Sequence, residues 1–180
     1  MVMMSSALDG LAALLAYPEE GYLQQAEMAR EILADEYPGA ACHLTEFTHA
    51  VRSLEIEELQ ELFTRTFDLN PICAMEVGWQ LYGDEYKRGE FLVKMQQILN
   101  QHDLPSSTEL PDHLTRILPL LQRVSPGEAE PLAREYIVPA LGKMLAGLVG
   151  KLNPFEKVLK AVSEVLDNQI ARRFEEVKHD

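Results

Sequence analysis

The sequence predicts a single all-α domain, a bundle of about nine helices over residues 1–180. Three observations lead there. Apolar residues recur at helical spacing through nearly every segment, and none alternates as a half-buried strand would. Two helix-start signals, Ser125-Pro126-Gly127-Glu128 and Asn153-Pro154-Phe155-Glu156, combine an N-cap residue, a first-turn proline and a glutamate that completes a capping box. Finally, 180 residues with 47% apolar and 25% charged side chains suit one soluble domain. Such a chain buries about 70% of its unfolded surface and needs no staple.

Each element follows in order. Leu8, Leu11, Ala12, Leu14 and Leu15 form a stripe that stops at Tyr17-Pro18. Tyr22, Leu23, Ala26, Ala29, Ile32 and Leu33 form a second, ended by Pro38-Gly39, and Leu44, Phe47 and Val51 mark a third. A fourth, through Ile56, Leu59, Leu62, Phe63 and Phe67, breaks at Asn70-Pro71, because proline disfavours helical geometry in the residue before it. Ala74 to Tyr82 reads as a short helix ending near Gly83, and Asp84 can cap the next, which carries Phe91, Leu92, Met95, Ile98 and Leu99. His102 to Thr108 is a polar loop. Pro111 fits the first turn of a helix reaching about Val124, with a kink at Pro119. Leu132, Tyr136, Leu141, Leu145 and Leu148 belong to the helix after Ser125; Phe155, Leu159, Val162, Leu166, Ile170 and Phe174 belong to the last.

Composition excludes several classes. Cys42 and Cys73 form no C-x-x-C pair, so a disulfide scaffold and a cysteine-based zinc or iron–sulfur site are ruled out; two reduced core thiols are expected. No charge-free stretch approaches the ~20 apolar residues of a membrane helix. Met1 to Leu15 lacks the basic start of a secretory signal, so a cytoplasmic protein without stable membrane insertion is expected. The net charge of −13 repels nucleic acid and anionic membranes. Residues 1–62 hold twelve Asp and Glu against Arg30 and Arg52, a net of −10, whereas residues 151–180 balance. One end of the protein is therefore expected to attract cations, although a solvated face explains any single cluster as well.

There is no phosphate-binding glycine loop, no H-E-x-x-H and no nucleophile elbow. His43 and His49 stand six apart, on opposite sides of a helix. No enzyme, metal site or cofactor is expected. Two segments stand out instead. Val77 to Gly89 gathers the only tryptophan, Trp79, with Tyr82 and Tyr86, three glycines and a run of charges. It reads either as a packed corner or as an aromatic-walled groove with charged rims, the composition of a peptide hot spot. In Glu109-Leu110-Pro111-Asp112-His113, Asp112 either serves a helix dipole or lines a binding rim. A neighbouring Asp would favour protonated His113, with pH dependence at about pH 6–7.

These segments carry a resemblance. Leu59 to Leu121 resembles the redox-enzyme maturation chaperones, the family of the NarJ, TorD and DmsD proteins. Glu109 to His113 looks like their signature of an acidic residue followed by Pro-Asp-His, and Leu62-Phe63-Thr64-Arg65-Thr66-Phe67-Asp68 looks like their aromatic motif ending in Phe-Asp. Tyr82 to Gly89 is similar to the "(H/Y)G(D/E)xxxRG" run of the nitrate reductase branch, the molybdenum cofactor assembly chaperones, and Leu11 to Pro18 looks like the start of that branch. The last thirty residues lie outside the resemblance.

The resemblance implies an all-helical bundle that is not an enzyme. It implies a cytoplasmic chaperone that binds the catalytic subunit precursor of a DMSO reductase-type molybdoenzyme, through its N-terminal or twin-arginine leader segment. The chaperone would hold it during molybdenum cofactor insertion, before export or membrane docking, with cofactor delivery proteins as further partners. Carried over residue by residue, Trp79, Glu109, Asp112 and His113 would contact the peptide, and Asp68, Tyr82 and Tyr86 would wall its site. A basic client segment would be steered to a protein of this charge. The alternative is a non-catalytic structural subunit of an oxidoreductase complex, for which an exposed apolar helix face would argue.

Overall fold

The helical periods become ten α-helices and two π-helical turns in a computed structural model, which describes residues 6–102, 104–105 and 107–179, with side chains as far as residue 172. The helices are α1 (Ala7–Leu14), α2 (Tyr22–Leu33), α3 (Pro38–Val51), α4 (Ile56–Phe63), α5 (Val77–Tyr82), α6 (Tyr86–Gln101), α7 (Leu114–Leu121), α8 (Pro126–Leu132), α9 (Val138–Leu148) and α10 (Phe155–His179). The π turns, Thr64–Asp68 and Ala133–Ile137, continue α4 and α8. The expected placement of the Phe174 side chain, and parts of the His102–Thr108 loop, lie outside the described residues.

Helix α1 is central: Leu8, Leu11, Leu14 and Leu15 are fully buried, and it packs against α2, α7 and α10. Helix α3 lies between α2 and α10. Four phenylalanines meet at the middle, with the Phe155 ring 5.3 Å from Phe47, 5.5 Å from Phe63 and 5.2 Å from Phe67, at tilted and edge-on angles that aromatic pairs favour.

The Ser125 box forms as read, whereas at the second start Asn153 caps through its side chain and Glu156 pairs with Lys160 at 2.8 Å. Ser125 Oγ lies 2.7 Å from Glu128 Oε2, and the Ser125 N–H donates to the same carboxylate. Asn153 Oδ1 accepts from the Phe155 N–H at 3.0 Å, while its Nδ2 donates to Thr66 Oγ1 at 2.7 Å. That second bond ties the start of α10 to the first π turn. In this turn the Leu69 N–H reaches back to the Thr64 carbonyl at 2.9 Å. The wider turn carries one extra residue, so Phe67 faces the core while Asp68 faces outward. The second π turn falls between Pro131 and Pro139, each of which withholds a backbone donor from the regular ladder.

Several boundaries differ from the sequence reading, and one feature explains two of them. Glu76 is extended and forms an isolated antiparallel bridge with His113. The Val77 N–H donates to the Asp112 carbonyl and the Leu114 N–H to the Met75 carbonyl, both at 3.0 Å. Helix α5 therefore starts at Val77 rather than Ala74. Helix α7 starts at Leu114 with His113 as N-cap, so Pro111 and Asp112 precede the helix and do not form its first turn. Glu85, not Asp84, is the N-cap of α6, and Pro38 opens α3.

Cys73 is buried, but Cys42 is exposed, because α3 buries Ala40, Ala41, Leu44, Phe47 and Val51 and turns residue 42 outward. Ile32 likewise reaches solvent at the edge of its stripe. The acidic N-terminal third is not a separate face in space. Helix α10 sets Lys157 against Glu46 and Arg172 against Glu36, and Arg123 lies 3.5 Å from Asp9. Among the described residues no helix is long and apolar enough to cross a membrane.

Candidate functional site

A groove of about 630 Å³ opens where the end of α1, the first π turn, the bridge and α5 converge. Its floor is core: Phe63, Phe67 and Met75 are buried and reach it from below. Tyr17 stands half out of the surface at its edge, its ring 5.6 Å from Phe63 and nearly perpendicular. Trp79 forms one wall, half-buried; its indole N–H donates to the Pro71 carbonyl at 2.9 Å, which fixes the ring plane. The Arg88 guanidinium lies 5.3 Å from the centre of that ring, within cation–π range. Three carboxylates, those of Asp68, Glu76 and Glu109, face the groove with His113.

The His113 ring is held by its own helix. Nδ1 accepts from the Thr115 N–H at 3.3 Å and lies 2.7 Å from Thr115 Oγ1, so the imidazole itself caps α7. An accepting Nδ1 leaves the proton on Nε2, which lies 3.8 Å from Glu109 Oε2. Burial pushes the His113 pKa down; Glu109, Glu76, Asp112 and Asp68 oppose this without reversing it. The direction is opposite to the one expected from the neighbouring Asp. Desolvation outweighs the adjacent carboxylates, and a protonated Nδ1 could no longer cap the helix.

Asp112 is fully buried and is not part of the groove wall. Its Oδ2 accepts from the Gly78 N–H at 2.8 Å, so the carboxylate pins the first turn of α5, next to Trp79, onto the bridge. Burial pushes its pKa up; the Gly78 N–H and the Arg88 charge pull it back in part. Gly78 is required here: a Cβ would sit 2.8 Å from Asp112 Oδ2 and 3.0 Å from Phe91 Cδ1.

Of the seven residues singled out in the sequence, Asp68, Trp79, Glu109 and His113 come together in the groove. Asp112 supports it from beneath. Tyr82 and Tyr86 do not wall it: Tyr82 packs edge-on against Phe91 at 6.0 Å, beside Tyr136, and Tyr86 is 84% exposed at the start of α6. The sequence reading missed Glu76, Arg88, Tyr17 and the phenylalanine floor as site residues. Glu76 was detectable only through its pairing with His113, and Phe63 and Phe67 were visible as core rather than as floor.

The arrangement can hold an extended or helical segment that brings apolar side chains to the floor and cationic ones to the three carboxylates. Among the described residues no group of three or more His, Cys, Asp or Glu is placed to hold a metal ion. Compared with known proteins, the chain matches no family model and no curated protein.

Proposed function

We propose that the protein is a chaperone for a DMSO reductase-type molybdoenzyme, binding the N-terminal or leader segment of the catalytic subunit precursor during cofactor insertion. One observation supports this above others. Three stretches that carry the resemblance, 62–68, 82–89 and 109–113, lie apart in sequence yet each contributes to a single groove, through Phe63, Phe67 and Asp68, Arg88, and Glu109 and His113. An aromatic wall, an apolar floor and a carboxylate rim suit a peptide with basic and apolar side chains. Arginine stacks on Trp79-like rings and pairs bidentately with carboxylates such as Glu109.

Affinity capture from the native host tests the reading, with mass spectrometry of co-purifying proteins and of molybdopterin. The expected result is a molybdoenzyme catalytic subunit carrying its N-terminal segment, retained by the wild type and lost with Trp79→Ala. A capture free of any molybdoenzyme subunit, or a subunit retained equally by Trp79→Ala, overturns it.

A further inference from the structure

Beside the groove, and continuous with it through Ala16, Ser107 and Thr115, lies a second cavity of about 290 Å³. Its chemistry is the reverse of the first. Helix α1 and the residues just after it offer only small side chains, Ala12, Ala13 and Ala16, apart from Asp9, and this leaves the space open. Helix α7 and the turn after it offer two guanidinium groups, Arg116 and Arg123. In a chain with 29 acidic and 16 basic residues, two arginines at one cavity are a local reversal of sign. Arg123 is held by the Pro119 carbonyl at 2.6 Å, and Asp9 at 3.5 Å offsets part of its charge. Arg116 donates from Nη1 to the Glu109 carbonyl at 3.3 Å. A guanidinium carries five donors, so the Arg116 fork keeps donors for an anion.

We propose that this second cavity is a carboxylate subsite: the segment that brings basic side chains to Asp68, Glu76 and Glu109 seats an acidic side chain at Arg116 and Arg123. The inference rests on the peptide-binding reading above and adds a direction to it. Two adjoining cavities of opposite charge accept a segment in one orientation, because the reversed segment would set like charges against each other at both ends. The Arg116–Glu109 bond links the two subsites, since the residue that supplies the carboxylate rim is held by the residue that supplies the cationic one.

The test is fluorescence anisotropy on the full chain with labelled synthetic helix-forming peptides. Each has an Arg-Arg pair at one end, an apolar middle, and either Glu or Gln about four to eight residues further on, roughly 6–12 Å along a helix. For at least one spacing the Glu peptide binds about two- to fivefold tighter than its Gln counterpart, the range for a partly exposed ion pair. Arg116→Gln abolishes that preference, Arg116→Lys keeps part of it, and Arg116→Glu transfers it to a peptide with Lys at the same place. Each variant's preference is read as the ratio of its own affinities for the Glu and Gln peptides, so a shift of the Glu109 rim caused by losing the Arg116 bond affects both peptides and cancels. Equal affinity for Glu and Gln at every spacing, or a preference that survives Arg116→Gln, overturns the carboxylate subsite alone. Failure of all the peptides to bind overturns the peptide-binding reading and this subsite with it.

Discussion

Replacing Asp112 with alanine separates a carboxylate that holds the fold from one that touches a ligand. The side chain is fully buried and its Oδ2 is 2.8 Å from the Gly78 N–H. Removing it strands that N–H away from water, at a cost of about 1–3 kcal/mol. The burial that raises the Asp112 pKa offsets part of the loss, because the alanine variant no longer buries a charge. A net loss of about 2 kcal/mol lowers the melting temperature of a domain this size by roughly 4–8 °C. Asp112→Asn keeps an acceptor for Gly78 and removes the charge, so it melts close to the wild type. The pH dependence has a definite sign. A carboxyl whose folded pKa is raised adds stability in full below its unfolded value of about 3.9, and that contribution fades as pH rises through the folded value. Asn therefore gains on the wild type between acid and neutral pH. Thermal melts by circular dichroism at several pH values, with peptide affinity per folded molecule, make the measurement. An alanine variant that melts with the wild type, or an asparagine variant that falls as far as alanine, refutes the buried-acceptor account.

Other outcomes follow from the same geometry. His113 has a depressed folded pKa, so its contribution to stability is present above about pH 6.5 and is lost as pH falls toward the folded value; His113→Asn, which can still cap α7, flattens that acid limb in a melting series. Gly78→Ala forces a Cβ to within 2.8 Å of the Asp112 carboxylate, and a destabilisation of about 1–3 kcal/mol is expected in denaturant titration. Affinity for an Arg-containing leader peptide weakens with salt as the screening length shrinks from ~10 Å at 0.1 M to ~3 Å at 1 M. Because α10 bases already neutralise Glu36 and Glu46, the slope depends on the rim: Glu76→Gln with Glu109→Gln reduces it in calorimetric titration, while neutralising Glu19 and Glu20 leaves it unchanged.

The sequence made the helices legible wherever local rules act alone. The stripe of Leu8, Leu11, Leu14 and Leu15, the Ser125–Glu128 box and the Phe155 helix follow from spacing and capping within one turn or two. It did not make the bridge between Glu76 and His113 legible, since a single backbone pairing 37 positions apart leaves no periodic trace. The misplaced starts of α5 and α7 follow from that one omission. The site was half legible for the same reason: side-chain chemistry picked out Trp79, Glu109 and His113, but which of Asp112, Tyr82 and Tyr86 faces the groove depends on long-range packing. Charge along the chain was misleading as a map of charge in space, because α10 carries its bases back onto α3.

The first π turn gives the groove an unusual footing. Its floor residues, Phe63 and Phe67, are the same rings that close around Phe155 at the middle of the bundle, and Thr66 in that turn is fastened to Asn153 at the foot of α10. A floor shared with the core cannot reshape itself to an incoming segment without disturbing the packing that holds the molecule together. Fitting different segments would then fall to the rim, where Asp68 and Glu109 stand in solvent and can turn without cost to the interior. If the groove takes a peptide as proposed, recognition divides by depth: what is apolar in a bound segment meets a fixed template, and what is charged meets side chains free to adjust.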